Sequence, residues 1–452
     1  MTEDNVTVHG SSFSEESFIE HTLGSRRKYP EPVSQVQDAP ARCELQQIQL
    51  VTRHGTRYPT FDWYSKFRQL ESHFEKHHEV LKKRHPYLAA WRMPFDDEME
   101  GQLTESGLEE MRRMAIRLKK RNPTFFASLK PMDVVARSSN KSRTLNSADA
   151  FIKGLYDGNH TCHVEVLDRK RDADLVPWES CKRYRRVHDS RTPSIDSQTP
   201  ISANLKHAID QKEIDMERPR KGEYAKYIDE QLPRIVKSTS KRLGIPLTTE
   251  HVLNMLEMCG QEVTIFNMFD GFCTIFERHE FLVRETAEDI ERYYSFGYGF
   301  DINLDMMCSL VTDLLESAKH AEEYPLLLRF THAEAMAPLA AALGFFKDPP
   351  PPLSHSHRPL SRAWRSSFIA PYAANLKLET YKCHHHDVVR PYVRILWNER
   401  NRFPKLKIPG CESKGLCPLD SVLHVYGKYM HCDFDAMCGN EKPSSGGWNR
   451  WK

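Results

Sequence analysis

The sequence of 452 residues carries almost no net charge, since 64 lysines and arginines stand against 62 aspartates and glutamates for a formal value of +2. Nucleic-acid-binding proteins show a clear basic excess, so we expect no nucleic-acid partner. Long hydrophobic runs are also absent, and the most apolar stretch, 335–346, is too short to cross a bilayer. These absences predict a globular protein without a membrane span, in which any basic patch is local and suits a small polyanion.

Motifs that would indicate a cofactor or a metal are missing as well. The chain has no Walker loop, no Rossmann fingerprint, no Cys-x5-Arg phosphatase loop and no two cysteines at CxxC spacing. The tract His384–His386 has the composition of a metal site but no partner at ligand spacing, so loop histidines are the preferred interpretation. We therefore expect neither a metal nor a cofactor.

What the sequence does contain is the run Arg53-His-Gly-Thr-Arg-Tyr-Pro59, just after an apolar segment, 45–51, that predicts a buried strand. Polar loops at the ends of such strands carry the chemistry of many α/β proteins. A histidine between two arginines is unfavourable for stability unless an anion binds there. Phosphate fits, because arginine contacts its oxygens in pairs and a neutral imidazole nitrogen can attack phosphorus.

His54 is therefore the candidate nucleophile, and Arg53 and Arg57 are candidate ligands of the non-bridging phosphate oxygens. The second ring nitrogen of His54 should donate to a nearby carbonyl, first of all that of Gly55, to set the tautomer. Gly55 would allow a tight turn beside the nucleophile, and Pro59 would direct the chain out of the loop. The alternative, a structural loop with scattered basic residues, explains the full run less well.

This run resembles the Arg-His-Gly-x-Arg-x-Pro signature of the histidine acid phosphatases, clade 2 of the histidine phosphatases. Most of that family has a late His-Asp pair, whereas this chain has His332-Ala-Glu334, a variant similar to the multiple inositol polyphosphate phosphatases. Segments 22–29, 297–303, 344–348 and 365–375 are also similar to that subfamily. The resemblance implies a doubly wound, Rossmann-like α/β core sheet flanked by helices, an inserted and mostly helical cap domain, and a phosphohistidine intermediate.

The resemblance also implies roles for the late motif. His332 follows a predicted strand, 326–330, and opens a helix, so it would donate to a phosphate oxygen with help from the helix dipole. Glu334 would protonate the leaving alkoxide and later activate water. The structural alternatives are a strand-end histidine and an acidic residue of the kind favoured in a first helical turn.

A third phosphate-binding arginine is expected from segment 138–148, after a second predicted strand near 132–136. Arg143 lies four residues before Ser147 and eight before Phe151, a spacing that matches the family's pocket arginine. Arg137 is the competing candidate.

Further substrate phosphates would need further cations. Lys28, Lys66 and Arg68 are the candidates, with Arg26 and Arg27 as additional options, and an ordinary solvated surface is the alternative for each. The family's lysine just past the motif proline has no counterpart, because Phe61-Asp62-Trp63 occupies that region.

Three regions are predicted along the chain. Residues 1–20 are rich in Ser and Glu and are expected to be disordered. Residues 21–155 and 310–452 would form the discontinuous α/β core, and 156–309, with few strand signals, the helical cap. Thr104 or Ser106 should cap a core helix that ends near Lys120 before Asn122-Pro123. A last strand is expected at 393–397, and an irregular tail after residue 404.

Eleven cysteines favour an oxidising compartment. Cys411/Cys417 and Cys432/Cys438 lie close together in the loop-rich tail, a pattern typical of disulfides. Cys259/Cys273 resembles a paired position of the family, and the odd count leaves at least one cysteine unpaired within the chain. Sequons occur at Asn5, Asn140 and Asn159, and the second is disfavoured by its place near Arg143. From the cysteine content and the resemblance we expect a protein of the secretory pathway (endoplasmic reticulum lumen or extracellular). No signal peptide is visible, so the signal would lie outside this chain. A cytoplasmic form is the alternative.

The function that these features predict is a metal-independent phosphomonoesterase acting on phytate and lower inositol phosphates, with 2,3-bisphosphoglycerate as a further substrate implied by the resemblance. A broad-specificity acid phosphatase with the same residues is the first alternative. A catalytically inactive polyphosphate-binding protein is the second, disfavoured because the proposed nucleophile and acid are both present. A monomer or a homodimer is expected.

Overall fold

The computed structural model describes residues 14–30, 32, 38–130, 133–156, 162–188, 201–349, 362–385, 388–401, 408–412 and 415–441. For residues 201–221, 385 and 401 it describes the backbone alone. The sequons Asn5 and Asn159 lie outside these residues, whereas Asn140 is exposed on the surface.

A mixed β-sheet forms the centre of the molecule. Its strands are β1 (Cys43–Arg53), β2 (Val134–Ser138), β3 (Val164–Val166), β4 (Leu326–Thr331), β5 (Asn375–His385), β6 (Val388–Trp397), β7 (Arg400–Asn401) and β8 (Leu416–Pro418). They are arranged in the order β3-β2-β4-β1-β5-β6-β7, with β8 also paired to β6. Strands β3, β2, β4 and β1 are parallel, as the predicted α/β class requires, and β5 to β8 add an antiparallel half.

The register of the parallel strands determines where the polar loops meet. Leu50 on β1 pairs with Leu328 on β4, and Ala136 on β2 pairs with the same residue from the other side. Parallel strands in register end at the same edge of the sheet, so the segments that follow β1, β2 and β4 lie side by side. These segments contain the three motifs expected to carry the chemistry.

Helices cover both faces of the sheet and build the cap. They are α1 (Glu15–Thr22), α2 (Phe61–Lys76), α3 (His78–Arg84), α4 (Pro86–Ala90), α5 (Glu105–Arg121), α6 (Pro123–Ser128), α7 (Ser142–Leu155), α8 (Pro177–Ser180), α9 (Lys182–His188), α10 (Ile201–Leu243), α11 (Thr249–Gln261), α12 (Arg278–Phe296), α13 (Asp301–Asp305), α14 (Cys308–Lys319), α15 (Ala333–Ala342), α16 (Ser366–Ile369), α17 (Leu419–Val425) and α18 (Phe434–Cys438). Helices α5 and α7 bury one face of the sheet, and α14, α15 and α17 bury the other.

The predicted boundaries differ from the structure at four places. Helix α1 begins at Glu15, inside the segment expected to be disordered. Strand β3 extends the core sheet into the region assigned to the cap, and the tail expected to be irregular contains β8 and two helices. Strand β5 was not anticipated, and it includes His384, which is therefore exposed on a strand rather than in a loop.

The cap is built from two separate stretches of chain, which was also not anticipated. Helices α2 to α4 pack with α10, α11 and α12 around one apolar cluster that includes Phe74, Trp91, Met255, Phe272 and Phe281. Because α2 begins two residues after the heptapeptide, the helix that leaves the catalytic loop is itself part of the cap.

Buried ion pairs attach α5 to the antiparallel half of the sheet. On β5, Leu376 and Leu378 contribute to the core beneath α14 and α17. The alternate residues are charged and buried: Lys377 pairs with Glu399 at 3.0 Å, and Glu379 pairs with Arg394 at 2.7 Å. Arg117 and Arg121 from α5 complete the two clusters. Because charged residues occupy alternate positions, this strand is not recognisable in the sequence as an apolar segment.

Of the five disulfides, three connect distant parts of the chain and two close short loops. Two follow the expected pairs, Cys259–Cys273 and Cys411–Cys417. The expected pair of Cys432 with Cys438 is wrong: Cys432 bonds to Cys308 and Cys438 to Cys181, so both connect the tail to earlier helices. Cys43–Cys383 joins β1 to β5, and Cys162 is unpaired. The tail cysteines lie close in sequence but face different helices.

This pairing predicts the thiol content of the protein. Unfolded in denaturant without reductant, the chain should react at one thiol, Cys162, and after reduction at all eleven. Non-reducing peptide mapping should recover Cys181 linked to Cys438 and Cys308 linked to Cys432. A linked Cys432–Cys438 peptide, or three reactive thiols before reduction, would contradict the structure.

Candidate active site

His54 lies directly after β1 at the shared edge of the parallel strands. Its ring is buried, and its Nδ1 lies 2.8 Å from the Gly55 carbonyl oxygen, which confirms the expected partner. Since a carbonyl only accepts, Nδ1 carries the proton and Nε2 keeps its lone pair. Burial, with the charges of Arg53 and Arg143, lowers the pKa of His54 well below 6.5, so the ring is neutral at physiological pH.

The loop that carries His54 is packed backbone to backbone against the first turn of α5. A Cβ on Gly55 would lie 2.2 Å from the carbonyl oxygen of Gly107, and a Cβ on Gly107 would lie 2.0 Å from that of Thr56. Thr104, the confirmed cap of α5, accepts from the Gly107 amide and donates to the Thr56 carbonyl. Glycine is therefore required on both sides of this contact.

Arg53 is held by backbone carbonyls. Its Nη1 donates to the carbonyl oxygens of Ser25 at 2.6 Å and Ala370 at 2.7 Å, and its guanidinium lies 4.2 Å from the centre of the Tyr372 ring. These partners belong to the lead-in segment and to the segment before β5, both of which the sequence resemblance included. Carbonyls fix the orientation of the side chain without neutralising its charge.

Arg57 and Arg143 complete the group of cations. Arg57 donates to the Tyr58 carbonyl at 2.8 Å, and Arg143 lies in the first turn of α7, with Nη2 3.4 Å from Nδ1 of His332. In Arg53, Arg57 and Arg143 alike, Nε is buried without a hydrogen-bond partner among the described residues. Three buried donors without acceptors, arranged beside one imidazole, are what an anion-binding pocket presents when empty.

Arg137, the competing candidate, points elsewhere. It is buried within β2 and donates to Asp174 at 2.8 Å, so its charge is neutralised inside the protein. Arg143 is therefore the arginine that reaches His332.

His332 caps the N-terminus of α15 and faces His54, with ring centres 5.5 Å apart. Its Nε2 lies 2.8 Å from Ser139 Oγ, which follows β2. The Arg143 guanidinium can only donate, so Nδ1 of His332 accepts from it and the proton of the neutral ring lies on Nε2, directed at Ser139 Oγ. Burial and Arg143 lower the pKa of His332 well below 6.5.

Glu334 lies in the first turn of α15 and is partly buried. Burial alone would raise the pKa of this carboxyl, but Arg292, His332 and Arg53 outweigh burial and lower the pKa to about 2. In the site without substrate, Glu334 is therefore an anion at all ordinary pH values.

The candidates for outer contacts lie around this site with partners of their own. Lys66 lies over the Trp63 ring at 4.6 Å, and Arg26 approaches the same ring while pairing with Glu257 at 2.7 Å. Arg68 is largely exposed and pairs with Asp97. Lys28 is partly buried in the lead-in segment. Burial raises the pKa of Glu110 on α5, and the charge of Lys28 acts to lower it.

Arg27, the remaining option, is buried and lies against His21, with Nη2 3.1 Å from its Nε2. Trp63 lies in the segment where the resemblance implies a lysine.

Two arginines from the region assigned to the cap were missed by sequence reasoning. Arg169 pairs with Glu179, and its charge lowers the pKa of both Arg143 and His332. Arg292, on α12, is the strongest of the cations that lower the pKa of Glu334. Neither belongs to a motif, and only the folded chain brings them near the heptapeptide.

Within the described residues, no group of three or more His, Cys, Asp and Glu side chains is placed to bind a metal ion. Helices long and apolar enough to span a membrane are likewise not found in the described part of the chain.

A family model agrees with this geometry. The model of the histidine phosphatase superfamily (branch 2) matches residues 44–398, which include the loops after β1, β2 and β4. The chain belongs to this superfamily. Among curated relatives of this histidine phosphatase, multiple inositol polyphosphate phosphatase 1 of Gallus gallus is 28% identical over 376 residues, covering 80% of this chain and 78% of the relative. The protein of the same name from Homo sapiens is 27% identical over 388 residues, covering 79% and 75%.

Solved structures show the same fold. The phytase from D. castellii superposes on this histidine phosphatase with a TM-score of 0.74 at 20% identity, covering 98% of this chain and 93% of the other. The multiple inositol polyphosphate phosphatase of Bifidobacterium longum, in complex with inositol hexasulfate, gives a TM-score of 0.63 at 15% identity, covering 88% and 96%.

The glycine contact gives a prediction for this histidine phosphatase. Gly107→Ala should lower the free energy of unfolding by about 1–3 kcal/mol, because the new methyl group overlaps the Thr56 carbonyl. Phosphatase activity should fall with it, since the loop carrying His54 must move. Gly427→Ala is the matched control, because no heavy atom lies within 4 Å of its added Cβ. Equal behaviour of the two variants in thermal unfolding and activity would contradict the contact.

Proposed function

We propose that this chain is a phosphomonoesterase that hydrolyses inositol polyphosphates, phytate included, through a phosphohistidine intermediate. The observation that carries the proposal is the neutral His54, protonated on Nδ1, beside three arginines whose buried Nε atoms have no acceptor within the described part of the chain. Relatives named multiple inositol polyphosphate phosphatase 1 support the substrate class. The additional cations Arg26, Arg169 and Arg292 around the pocket are consistent with a substrate that carries several phosphates.

The first half-reaction transfers the phosphoryl group to the enzyme. Nε2 of His54 attacks phosphorus while the bond to the ester oxygen breaks, and Arg53, Arg57 and Arg143 stabilise the charge on the three equatorial oxygens. Glu334 donates a proton to the departing alkoxide, which would otherwise leave poorly. For His332 to donate to a phosphate oxygen from Nδ1, Arg143 must turn from that nitrogen to the phosphate and Ser139 Oγ must donate to Nε2.

The second half-reaction regenerates the enzyme. Glu334, now ionised, takes a proton from water, whose oxygen attacks phosphorus as the bond to His54 breaks, and inorganic phosphate leaves. Since Glu334 is an anion in the empty site, it must gain a proton when substrate binds. The negative charge of the bound phosphate favours this uptake, because it opposes the effect of the arginines.

We also propose that the protein is made in the secretory pathway. Five disulfides connect separate parts of the fold, which suits an oxidising compartment.

The proposed function is tested directly with phytate. In the presence of EDTA the wild type should release phosphate stepwise, and acid-labile, alkali-stable phosphate should be found on the chain after rapid quenching. His54→Ala should abolish both signals while still binding phytate. His384→Ala is the control, since this histidine is exposed on β5. Full turnover by His54→Ala would refute the mechanism, and turnover of simple esters without phytate would indicate a broad acid phosphatase.

The role of Glu334 is tested by varying the leaving group. Glu334→Gln should reduce kcat/KM for glycerol 2-phosphate by about 10²–10⁴-fold, because its alkoxide needs a proton. For p-nitrophenyl phosphate the loss in kcat/KM should be much smaller, since nitrophenolate leaves unaided. Glu316→Gln, which removes a surface carboxylate paired with Lys319, is the control. Equal losses on both substrates would exclude Glu334 as the proton donor.

A further inference from the structure

Arg292 is a cationic side chain of the cap that forms no ion pair with a carboxylate among the described residues. It lies on α12 and is partly buried, and its Nε is buried without a hydrogen-bond partner among the described residues. No carboxylate oxygen of the described residues lies within ion-pair distance of its guanidinium. The guanidinium lies 5.5 Å from the centre of the Phe296 ring. Neighbouring arginines behave differently: Arg284, two turns earlier on α12, pairs with Glu257 and Glu288.

Arg292 lies near the helix that carries the proposed proton donor. It lines a small cavity together with Ala333 and Ala337 of α15, and Ala333 immediately precedes Glu334. Ser25 and Ala370, whose carbonyls hold Arg53, line the same cavity. Arg292 therefore lies near the start of α15, close to the two residues whose carbonyls hold Arg53.

Charged and titratable groups from each neighbouring element act on Glu334 or on Arg292. Those acting on Glu334 are Arg292 of α12, His332 at the start of α15 and Arg53 of β1, and Arg143 of α7 and Tyr184 of α9 interact with it. Those acting on Arg292 include Glu291 and Glu288 of its own helix and Arg26 of the lead-in segment. Among these, Arg292 makes the largest contribution to lowering the pKa of Glu334.

We propose that Arg292 is a positioning residue for the proposed reaction: from the cap it holds Glu334 as an anion in the empty site, so that proton donation depends on a bound phosphate. This proposal rests on the proposed function, in which Glu334 is the acid. With a phosphate monoester bound, its negative charge offsets the guanidinium groups, and Glu334 takes up a proton from solvent or from the incoming monoanion. As pH rises, Glu334 in the complex loses that proton. The positive charge of Arg292 favours the anion, so this ionisation occurs at a lower pH than it would without Arg292.

The test is the pH dependence of kcat, which reports groups in the enzyme–substrate complex. With glycerol 2-phosphate, the high-pH limb should move up by about one unit in Arg292→Gln and Arg292→Met, because a nearby positive charge that favours the anion is gone. Arg292→Lys should keep the limb close to the wild-type position. With p-nitrophenyl phosphate, which needs no acid, the phosphorylation step should show no corresponding shift.

Arg278→Gln is the matched control, since it removes a charge from the exposed start of the same helix, where Arg278 pairs with Glu15. Two neutral variants of Arg292 are used in case one of them folds poorly. Thermal unfolding identifies a variant that is not folded. A limb that stays at the wild-type position in the folded neutral variants would overturn the proposal, as would an equal shift in Arg278→Gln. If the wild type hydrolyses neither ester, the proposed function is wrong and the role of Arg292 with it.

A double mutant separates an effect through Glu334 from a general change of the site. In a Glu334→Gln background, Arg292→Gln should cause no further shift of the limb, because the group that it acts on is absent. A shift of the same size in both backgrounds would show that Arg292 acts on another group, and would also overturn the proposal.

Discussion

The site depends on burying several guanidinium groups without neutralising them. Arg53 and Arg57 donate to backbone carbonyls rather than to carboxylates, so part of their hydrogen-bonding capacity is satisfied while their charge remains. Burying unpaired charge is costly, and a rigid scaffold must maintain the arrangement. The same charges, with burial, keep His54 neutral. One electrostatic arrangement therefore both attracts a phosphate and leaves the nucleophile with a free lone pair.

The scaffold that maintains this arrangement is the edge of the sheet. Parallel pairing of β1, β4 and β2 places His54, His332 and Arg143 on adjacent loops. The antiparallel neighbour β5 begins at the same edge. In the segment before it, the Ala370 carbonyl accepts from Arg53, and the Ala373 amide donates to the His54 carbonyl. On the opposite side, Gly55 and Gly107 bring the loop into backbone contact with α5. The cap then adds Arg292, whose charge lowers the pKa of Glu334.

Local chemistry was predictable where a short stretch of sequence decides it. The bond between His54 and Gly55 and the cap at Thr104 were anticipated, because each joins residues within three positions. Strand β5 was missed because its buried charges, such as Lys377, are paired only in the folded protein. The pairing of Cys432 with Cys438 was wrong because proximity in the chain does not determine which helices the two residues face. The contribution of α2 to the cap was missed for the same reason.

The sequence by itself predicted the reaction chemistry: the heptapeptide 53–59 indicates a histidine nucleophile among arginines, and His332 with Glu334 indicates the proposed partners. Motifs of this kind are readable because their residue types and spacing are set by the substrate. Only the tertiary structure decided between Arg137 and Arg143, since one is neutralised by Asp174 and the other reaches His332. It also brought Arg169 and Arg292 to the site from segments without a motif. Electrostatic effects act through space, so their sources need no pattern along the chain.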